Sequence, residues 1–160
     1  MSEAANKELA RAWVEEIFNA KDLDACDRLI ADEYIEHALA TFGSSEPGRV
    51  PGPVTMRQTA QFIIGQFPDV SMTVESIIAE GDEVAVRVTA RGTNRGPLAG
   101  VVPPTGREFI AAQSHWFRVE DGRLAEHWAV RDDLTAMLQL GVVQPPGPPP
   151  GSRADEDAVR

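Results

Sequence analysis

The sequence predicts a single α+β domain in which a curved antiparallel sheet packs against helices and leaves a cone-shaped pocket. Apolar residues recur at intervals of three and four in the N-terminal part of the chain, as in amphipathic helices. The interval changes to two after Asp69, and the strands that follow are joined by short turns. Such strands form an antiparallel sheet, and the helices cover one of its faces. The inside of a cone of this kind suits a small ligand.

Three helices are predicted before the sheet. The first spans Glu3 to Ala20, and its apolar face is made of Leu9, Ala10, Trp13, Val14, Ile17 and Phe18. The second spans Asp22 to Ile30, with Asp22 as its N-cap. After a loop over residues 41–53, the third helix begins at Pro53 and ends near Phe67, because Pro68 disfavours helical geometry in the residue before it.

Four strands and a final helix follow. The strands are predicted at about 70–74, 84–90, 107–119 and 123–130, and the "EDGR" between the last two is a hairpin signal. The last helix starts near Asp132 or Asp133 and ends at Gly141, a good C-cap. The predicted order is therefore α-α-α-β-β-β-β-α.

Length and composition indicate one domain, over residues 1–144, and a tail. The chain has 160 residues, of which 42% are hydrophobic and 25% charged, as in an ordinary globular protein. Residues 145–160 hold five prolines within Pro145–Pro150 and then a charged end. Proline has no amide donor and this stretch has little to bury, so we expect an extended or disordered tail.

Charge and residue usage exclude several classes of protein. A net charge of −10 disfavours nucleic-acid and anionic-membrane partners. The chain has a single cysteine, Cys26, no apolar run of the ~18 residues needed to span a bilayer, and no basic, apolar leader, so a cytoplasmic location is expected. The three histidines lack metal-ligand spacing, and "RGTNRGPLAG" lacks the helix that a phosphate loop precedes. We therefore expect no metal and no nucleotide.

Several segments resemble the SnoaL-like polyketide cyclases, which belong to the larger group with the nuclear transport factor 2 fold. The resemblance is carried by "VRVTARGTNRGPLAGVVPPTGREF", "HWFRVEDGRLAEHW" and "LQLG", with "YIEH" and "FPD" earlier in the chain, and covers roughly residues 8–142. It implies an α+β cone with a pocket, and a homodimer formed through the sheet.

The resemblance also implies a chemistry. Similar proteins close a ring by intramolecular aldol condensation with a histidine and an aspartate, without metal or organic cofactor. The histidine position matches His115, and the aspartate position, two residues after His127, is occupied by Ala129. Alanine carries no exchangeable proton. Another carboxylate therefore substitutes, or the chemistry differs, or the chain is not a catalyst.

The register of the last hairpin decides which residues share a face. A two-residue turn at Asp121 and Gly122 would place His115 opposite Trp128, whereas a three-residue loop would place it opposite His127. Both suit the sequence, and the family pattern favours the longer loop. We therefore predict one face with Gln113, His115, His127 and Arg131, and an opposite face with Trp116, Glu126, Trp128 and Val130.

The candidate site combines groups that exchange protons with groups that bind a substrate. His115, His127 and Asp132 are the predicted catalytic residues, because histidine titrates near neutral pH and a carboxylate complements it. One of Asp132 and Asp133 caps the last helix, and the other supplies the missing carboxylate; Glu126 is the next choice if the turn has two residues. The predicted substrate-binding residues are Trp13, Phe18, His37, Phe67, Gln113 and Trp128.

These residues predict a cofactor-independent enzyme that acts on an apolar, carbonyl-bearing small molecule by general acid–base chemistry. The reaction is a cyclisation, an isomerisation, or a related lyase or hydrolase step, with His115 removing a proton next to the carbonyl. Two alternatives stay open at this point. The same cone binds a small molecule without chemistry, or it serves as a dimerisation module.

Overall fold

The computed structural model describes residues 2–38, 48–145 and 147. The helices are α1 (Glu3–Ala12), which continues as a π-helical segment (Trp13–Asn19), α2 (Ala25–Leu29), α3 (Gly52–Gln66) and α4 (Asp133–Leu140). The strands are β1 (Ile30–Glu36), β2 (Gly48–Pro51), β3 (Ser71–Glu80), β4 (Glu83–Thr93), β5 (Glu108–Glu120) and β6 (Arg123–Arg131). Apart from Pro145 and Gly147, the predicted tail lies outside the described residues.

The six strands form one sheet in the order β2-β1-β6-β5-β4-β3. Every neighbouring pair is antiparallel except β1 and β6, which run parallel. The helices pack against the inner face of this sheet, where the apolar side chains form the core. The α+β fold class predicted from the sequence is confirmed.

Two strands, β1 and β2, were not predicted from the sequence. Residues 30–36 read IADEYIE, and their acidic residues interrupt the alternation of apolar and polar side chains that marks a strand. The strand is stabilised by pairing with β6, which lies about 90 residues further along the chain, as the pairing of Glu36 with His127 shows. The loop predicted over 41–53 was wrong at its end, where Gly48–Pro51 forms β2; its residues 41–47 lie outside the described chain.

The predicted C-cap of the last helix is confirmed, whereas the predicted N-cap of the second helix is wrong. Gly141 ends α4 with a φ of 74°, in the left-handed region that favours glycine. Asp22 is not the N-cap of α2. Its carboxylate accepts the N–H of Asp24 at 3.1 Å in the preceding turn, and the helix begins at Ala25.

The hairpin between β5 and β6 closes with a two-residue turn. Asp121 and Gly122 both have positive φ, 49° and 78°, as a type I′ turn requires, and Glu120 pairs with Arg123. The three-residue loop favoured above is therefore wrong.

A β-bulge then changes the register of the same hairpin. Val119 pairs with Leu124 but Arg118 pairs with Glu126, so Ala125 is an extra residue in β6. His115 consequently lies opposite Ala129, and neither predicted pairing is correct. The bulge nevertheless places the predicted sets of residues on their predicted faces. Gln113, His115, His127 and Arg131 face inward, whereas Trp116 and Val130 are 38% and 67% exposed on the outer face.

Within the described residues, no helix has the length and apolar character needed to cross a membrane. The homodimer expected from the resemblance stays a prediction.

Candidate active site

A cavity opens between the inner face of the sheet and the helices. Much of its wall is apolar, and it includes Phe18, Met56, Ile63, Phe67, Met72 and Phe109. Centres of water molecules can reach about 110 Å³ of it, and the empty space including the open mouth is about 980 Å³. The enclosed part is therefore small, and a ligand of moderate size must also occupy the open mouth.

Four polar side chains form a hydrogen-bonded chain on the sheet side of this cavity. The carboxylate oxygens of Glu36 lie 2.9 and 3.0 Å from Nδ1 of His127. Nε2 of His127 lies 2.9 Å from Nδ1 of His115, and Nε2 of His115 lies 3.1 Å from Oε1 of Gln113. Glu36, His127 and His115 are only 8%, 5% and 4% exposed, so water contributes little to their interactions.

The strand register brings these residues together. Glu36 and His127 are direct neighbours in the parallel pair of β1 and β6. His115 lies opposite Ala129 on the adjacent strand pair, which makes His127 its diagonal neighbour on the same face. Long side chains can meet across a diagonal, and the two imidazole rings stack with their centroids 5.2 Å apart.

Aromatic rings pack against both imidazoles. The Trp13 indole lies 4.9 Å from the His115 ring, and the Phe117 ring stacks on His127 at 4.9 Å. Trp13 belongs to the π-helical segment that continues α1, a local geometry that often marks functional sites. The rings exclude water and hold the histidines in one orientation.

Burial lowers the pKa of His115 well below its usual value of about 6.5, and the neighbouring His127 and Arg131 act in the same direction. The imidazole is therefore neutral near neutral pH. A neutral imidazole in a dry pocket is able to accept a proton from a bound molecule.

The same shift predicts a pH dependence of stability. The unfolded chain binds a proton at His115 near pH 6.5, whereas the folded chain does so only at lower pH. The free energy of unfolding is therefore expected to fall as the pH drops below about 6.5. Urea titrations of the wild type and of His115→Asn between pH 7.5 and 5 measure this effect. The variant should lose less stability over this range, and equal losses in both proteins would contradict the prediction.

Asp132 does not enter the cavity. Its carboxylate accepts the N–H of Thr135 at 3.1 Å and caps α4, and the residue is exposed. The neighbouring Asp133 lines the cavity and lies 3.5 Å from Nε of Arg131, which also lines it. The catalytic role predicted for Asp132 thus has no support from its position.

His37 and Trp128 were also predicted to bind substrate, and neither lies among the residues that line the cavity. Their rings stack on each other at 4.5 Å, and His37 Nε2 lies 2.9 Å from a carboxylate oxygen of Glu126. Side chains alternate between the faces of a strand, so the neighbour Glu36 points inward when His37 points outward.

Glu36 is the site residue that the sequence analysis left out of the candidate list. The motif "YIEH" contributed His37 to the predicted site, but side chains alternate between the faces of β1, a strand that had not been predicted, and Glu36 is the residue that enters the cavity. Trp13, Phe18, Phe67 and Gln113 do line the cavity, and their contact with a substrate stays a prediction. Across the described part of the chain, no group of three or more histidine, cysteine or acidic residues is arranged to hold a metal ion.

The fold is a curved sheet closed by helices around a mostly apolar cavity, whose polar groups are concentrated around two buried histidines. The sequence model of the family described as SnoaL-like polyketide cyclase matches residues 8–140. The chain belongs to this family.

Named relatives agree with this assignment. The chain is 30% identical over 125 residues to the nogalonic acid methyl ester cyclase of Streptomyces nogalater, covering 78% of this chain and 89% of that protein. It is 30% identical over 129 residues to the aklanonic acid methyl ester cyclase DauD of Streptomyces sp. (strain C5), covering 76% and 80%. The crystal structure of IdmH of Streptomyces antibioticus, a proposed polyketide cyclase, superposes with a TM-score of 0.72 at 37% identity, covering 85% of this chain and 98% of that one.

Proposed function

We propose that this protein closes a ring in an apolar, carbonyl-bearing substrate by intramolecular aldol addition, using only its own side chains. The observation that carries the proposal is the position of His115, which lies in a mostly apolar cavity and is hydrogen-bonded to a buried histidine–carboxylate pair. Two relatives are named as cyclases of methyl esters, which supports ring closure as the outcome of the reaction.

In the proposed step, Nε2 of His115 removes a proton from a carbon next to a carbonyl of the substrate. The resulting enolate carbon attacks a second carbonyl of the same molecule, and a carbon–carbon bond forms. The alkoxide left by the attack takes a proton back from His115. The product is an isomer of the substrate, so the reaction needs neither an oxidant nor a cofactor.

The enolate oxygen requires stabilisation, which in a dry pocket is usually the largest contribution to catalysis. Arg131 faces the cavity directly across the strand pair from Gln113 and brings a positive charge close to His115. Trp13 and Tyr34 line the same cavity, and their indole N–H and hydroxyl are buried without a hydrogen-bond partner among the described residues. A substrate oxygen would accept a hydrogen bond from such a donor. A donor that stays buried without an acceptor costs about 1–3 kcal/mol of stability.

Replacing Tyr34 by phenylalanine separates this role from a structural one. Burial, together with the charge of Glu36, raises the pKa of Tyr34 well above 10, so the hydroxyl remains a donor. Its removal deletes an unpaired group, so the melting temperature is expected to stay the same or rise. Turnover is expected to fall about 10-fold if the hydroxyl donates to the substrate. Thermal unfolding and steady-state kinetics measure the two effects; wild-type turnover would remove Tyr34 from the proposal.

The proposed reaction is tested with nogalonic acid methyl ester and aklanonic acid methyl ester, the compounds in the names of the two relatives. Chromatography with mass detection should show a product of unchanged mass. In D₂O, proton removal and return should introduce deuterium next to the carbonyl of recovered substrate or product.

Ala129 supports a second candidate function, a small-molecule binding protein of the same fold. It occupies the position that the resemblance gives to a catalytic aspartate, directly opposite His115, and it carries no proton. A protein of this kind would bind the two esters in calorimetry, return them without deuterium, and show no dependence of binding on the proton state of His115.

A further inference from the structure

We propose that Glu36 is the positioning residue of this site, and that it supplies from β1 the carboxylate that is absent at Ala129. The inference rests on the proposed function of His115 as the base. Glu36 does not touch the substrate in this arrangement. It acts by fixing which nitrogen of each histidine carries a proton.

The direction of the hydrogen bonds follows from the partners of Glu36. Its Oε1 accepts the backbone N–H of Ala38 at 2.8 Å, so this oxygen is an acceptor. Nδ1 of His127 lies within 3.0 Å of both oxygens of the carboxylate, which favours a proton on Nδ1. Nε2 of a neutral His127 then has a free lone pair.

That lone pair sets the state of the second ring. Nδ1 of His115 lies 2.9 Å from Nε2 of His127 and therefore carries the proton that is donated between them. The remaining nitrogen, Nε2 of His115, is then unprotonated on the cavity side of the chain, and the Gln113 amide, whose Oε1 lies 3.1 Å away, must turn its NH₂ group toward it. Glu36 thus keeps the reactive nitrogen in its basic form through two consecutive hydrogen bonds.

The same chain accommodates the proton that catalysis delivers. When Nε2 of His115 takes a proton from carbon, its Nδ1 proton can move to Nε2 of His127, and the positive charge then lies next to Glu36. Oε1 of Gln113 accepts from the newly protonated Nε2, and rotation of the amide by half a turn presents its NH₂ group to the unprotonated form. Return of the proton to the alkoxide reverses both transfers.

The register explains how a carboxylate on β1 can substitute for one on β6. An aspartate at position 129 would lie directly across from His115. Here that neighbour is a methyl group, and His115 bonds diagonally to His127, which is itself the direct neighbour of Glu36. The Glu36 carboxylate is one imidazole ring further from the substrate than an aspartate at 129 would be, and His127 connects it to His115.

The charged and titratable groups that line the cavity around His115 are Glu36 and Tyr34 of β1, His127 and Arg131 of β6, and Asp133 of α4.

Glu36→Gln provides the test, because the amide has the shape of the carboxylate and reverses the pattern. The amide oxygen keeps the bond from Ala38 N–H, and the NH₂ group takes the place of the second oxygen, 3.0 Å from Nδ1 of His127. His127 then carries its proton on Nε2 and donates to His115, whose own proton moves to Nε2. The base is blocked although every ring stays in place.

Nitrogen-15 NMR of the full-length protein at pH 7.5 distinguishes the protonated from the unprotonated nitrogen of each ring. We expect the wild type to carry protons on Nδ1 of both buried histidines, and Glu36→Gln to carry them on Nε2. Turnover of the variant should fall at least ~100-fold at nearly unchanged KM, as expected when a base is held in the wrong tautomer. Glu126→Gln is the matched control, since Glu126 pairs with His37 outside the cavity, and it should change neither the buried tautomers nor turnover.

A wild-type spectrum with the proton of His127 on Nε2 would overturn the inference without any variant. So would a folded Glu36→Gln protein with unchanged tautomers. These results differ from a failure of the proposed function: full turnover in His115→Ala would refute the base but would leave the NMR result intact.

Discussion

Turnover in His115→Ala is expected to fall at least ~100-fold, as losses of a general base usually do. Of the two buried histidines, His115 is the one whose Nε2 lies next to Gln113 at the cavity. Its substitution removes the nitrogen that accepts the substrate proton in the proposed step. Steady-state kinetics with the two methyl esters measure the loss. Deuterium incorporation from D₂O should decrease by the same factor, because both readouts depend on one proton transfer.

His37→Ala is the control for this substitution. It also removes an imidazole that is hydrogen-bonded to a glutamate, but this imidazole stacks on Trp128 outside the cavity. Its turnover should remain within about 2-fold of the wild type. Far-UV circular dichroism and thermal unfolding should show that both variants keep the native fold. Comparable turnover in His115→Ala and the wild type would remove His115 from the mechanism.

Gly52→Ala is expected to destabilise the protein by at least about 3 kcal/mol, at the upper end of the cost of overpacking. A methyl group at Gly52 would lie 2.0 Å from the carbonyl oxygen of Ala31 and 2.9 Å from Cβ of Tyr34. The first of these atoms belongs to the backbone of β1 and cannot rotate away. The start of α3 must therefore move off the sheet, and this helix carries Met56 and Ile63 into the cavity wall.

Gly65→Ala on the same helix provides the contrast. A methyl group there meets no atom within 4 Å, so the variant should gain about 0.5–1 kcal/mol from the better helix propensity of alanine. Urea denaturation of the two variants measures both changes. Equal stabilities would mean that α3 does not approach β1 as closely as the structure shows. Gly52→Ala should also weaken binding of the two esters, because the displaced helix changes the cavity.

Much of the site followed from local patterns. Alternation grouped Gln113 with His115 in β5 and His127 with Arg131 in β6, and the family resemblance placed the two pairs on one face. Helical periodicity brought Trp13 and Phe18 to the inner side of the first helix. The turn residues were also recognisable, but the bulge at Ala125 was not, because an extra residue in a strand has no fixed sequence signature. The predicted faces were right although the predicted pairing was two residues away from the observed one.

Asp132 and His37 were misplaced for different physical reasons. Two partners compete for the carboxylate of Asp132. The backbone amides at the start of α4, which lack partners within the helix, bind it more readily than a distant imidazole does. His37 lies one residue from the position that enters the cavity, and in a strand a shift of one residue exchanges the faces. In both cases the residue type was suitable and the position was not.

The sequence by itself determined the α+β class and which residues of each strand share a face, because the periods of helices and strands are set by the backbone and can be read over a few neighbouring residues. The resemblance to the family, and not the period, placed His115 on the inner face. Only the tertiary structure decided that Glu36, and not an aspartate near the last helix, is bonded to the histidine pair. That contact joins residues 91 positions apart through a parallel strand pair. Pairing between distant strands depends on how the whole chain packs, and no local pattern contains it.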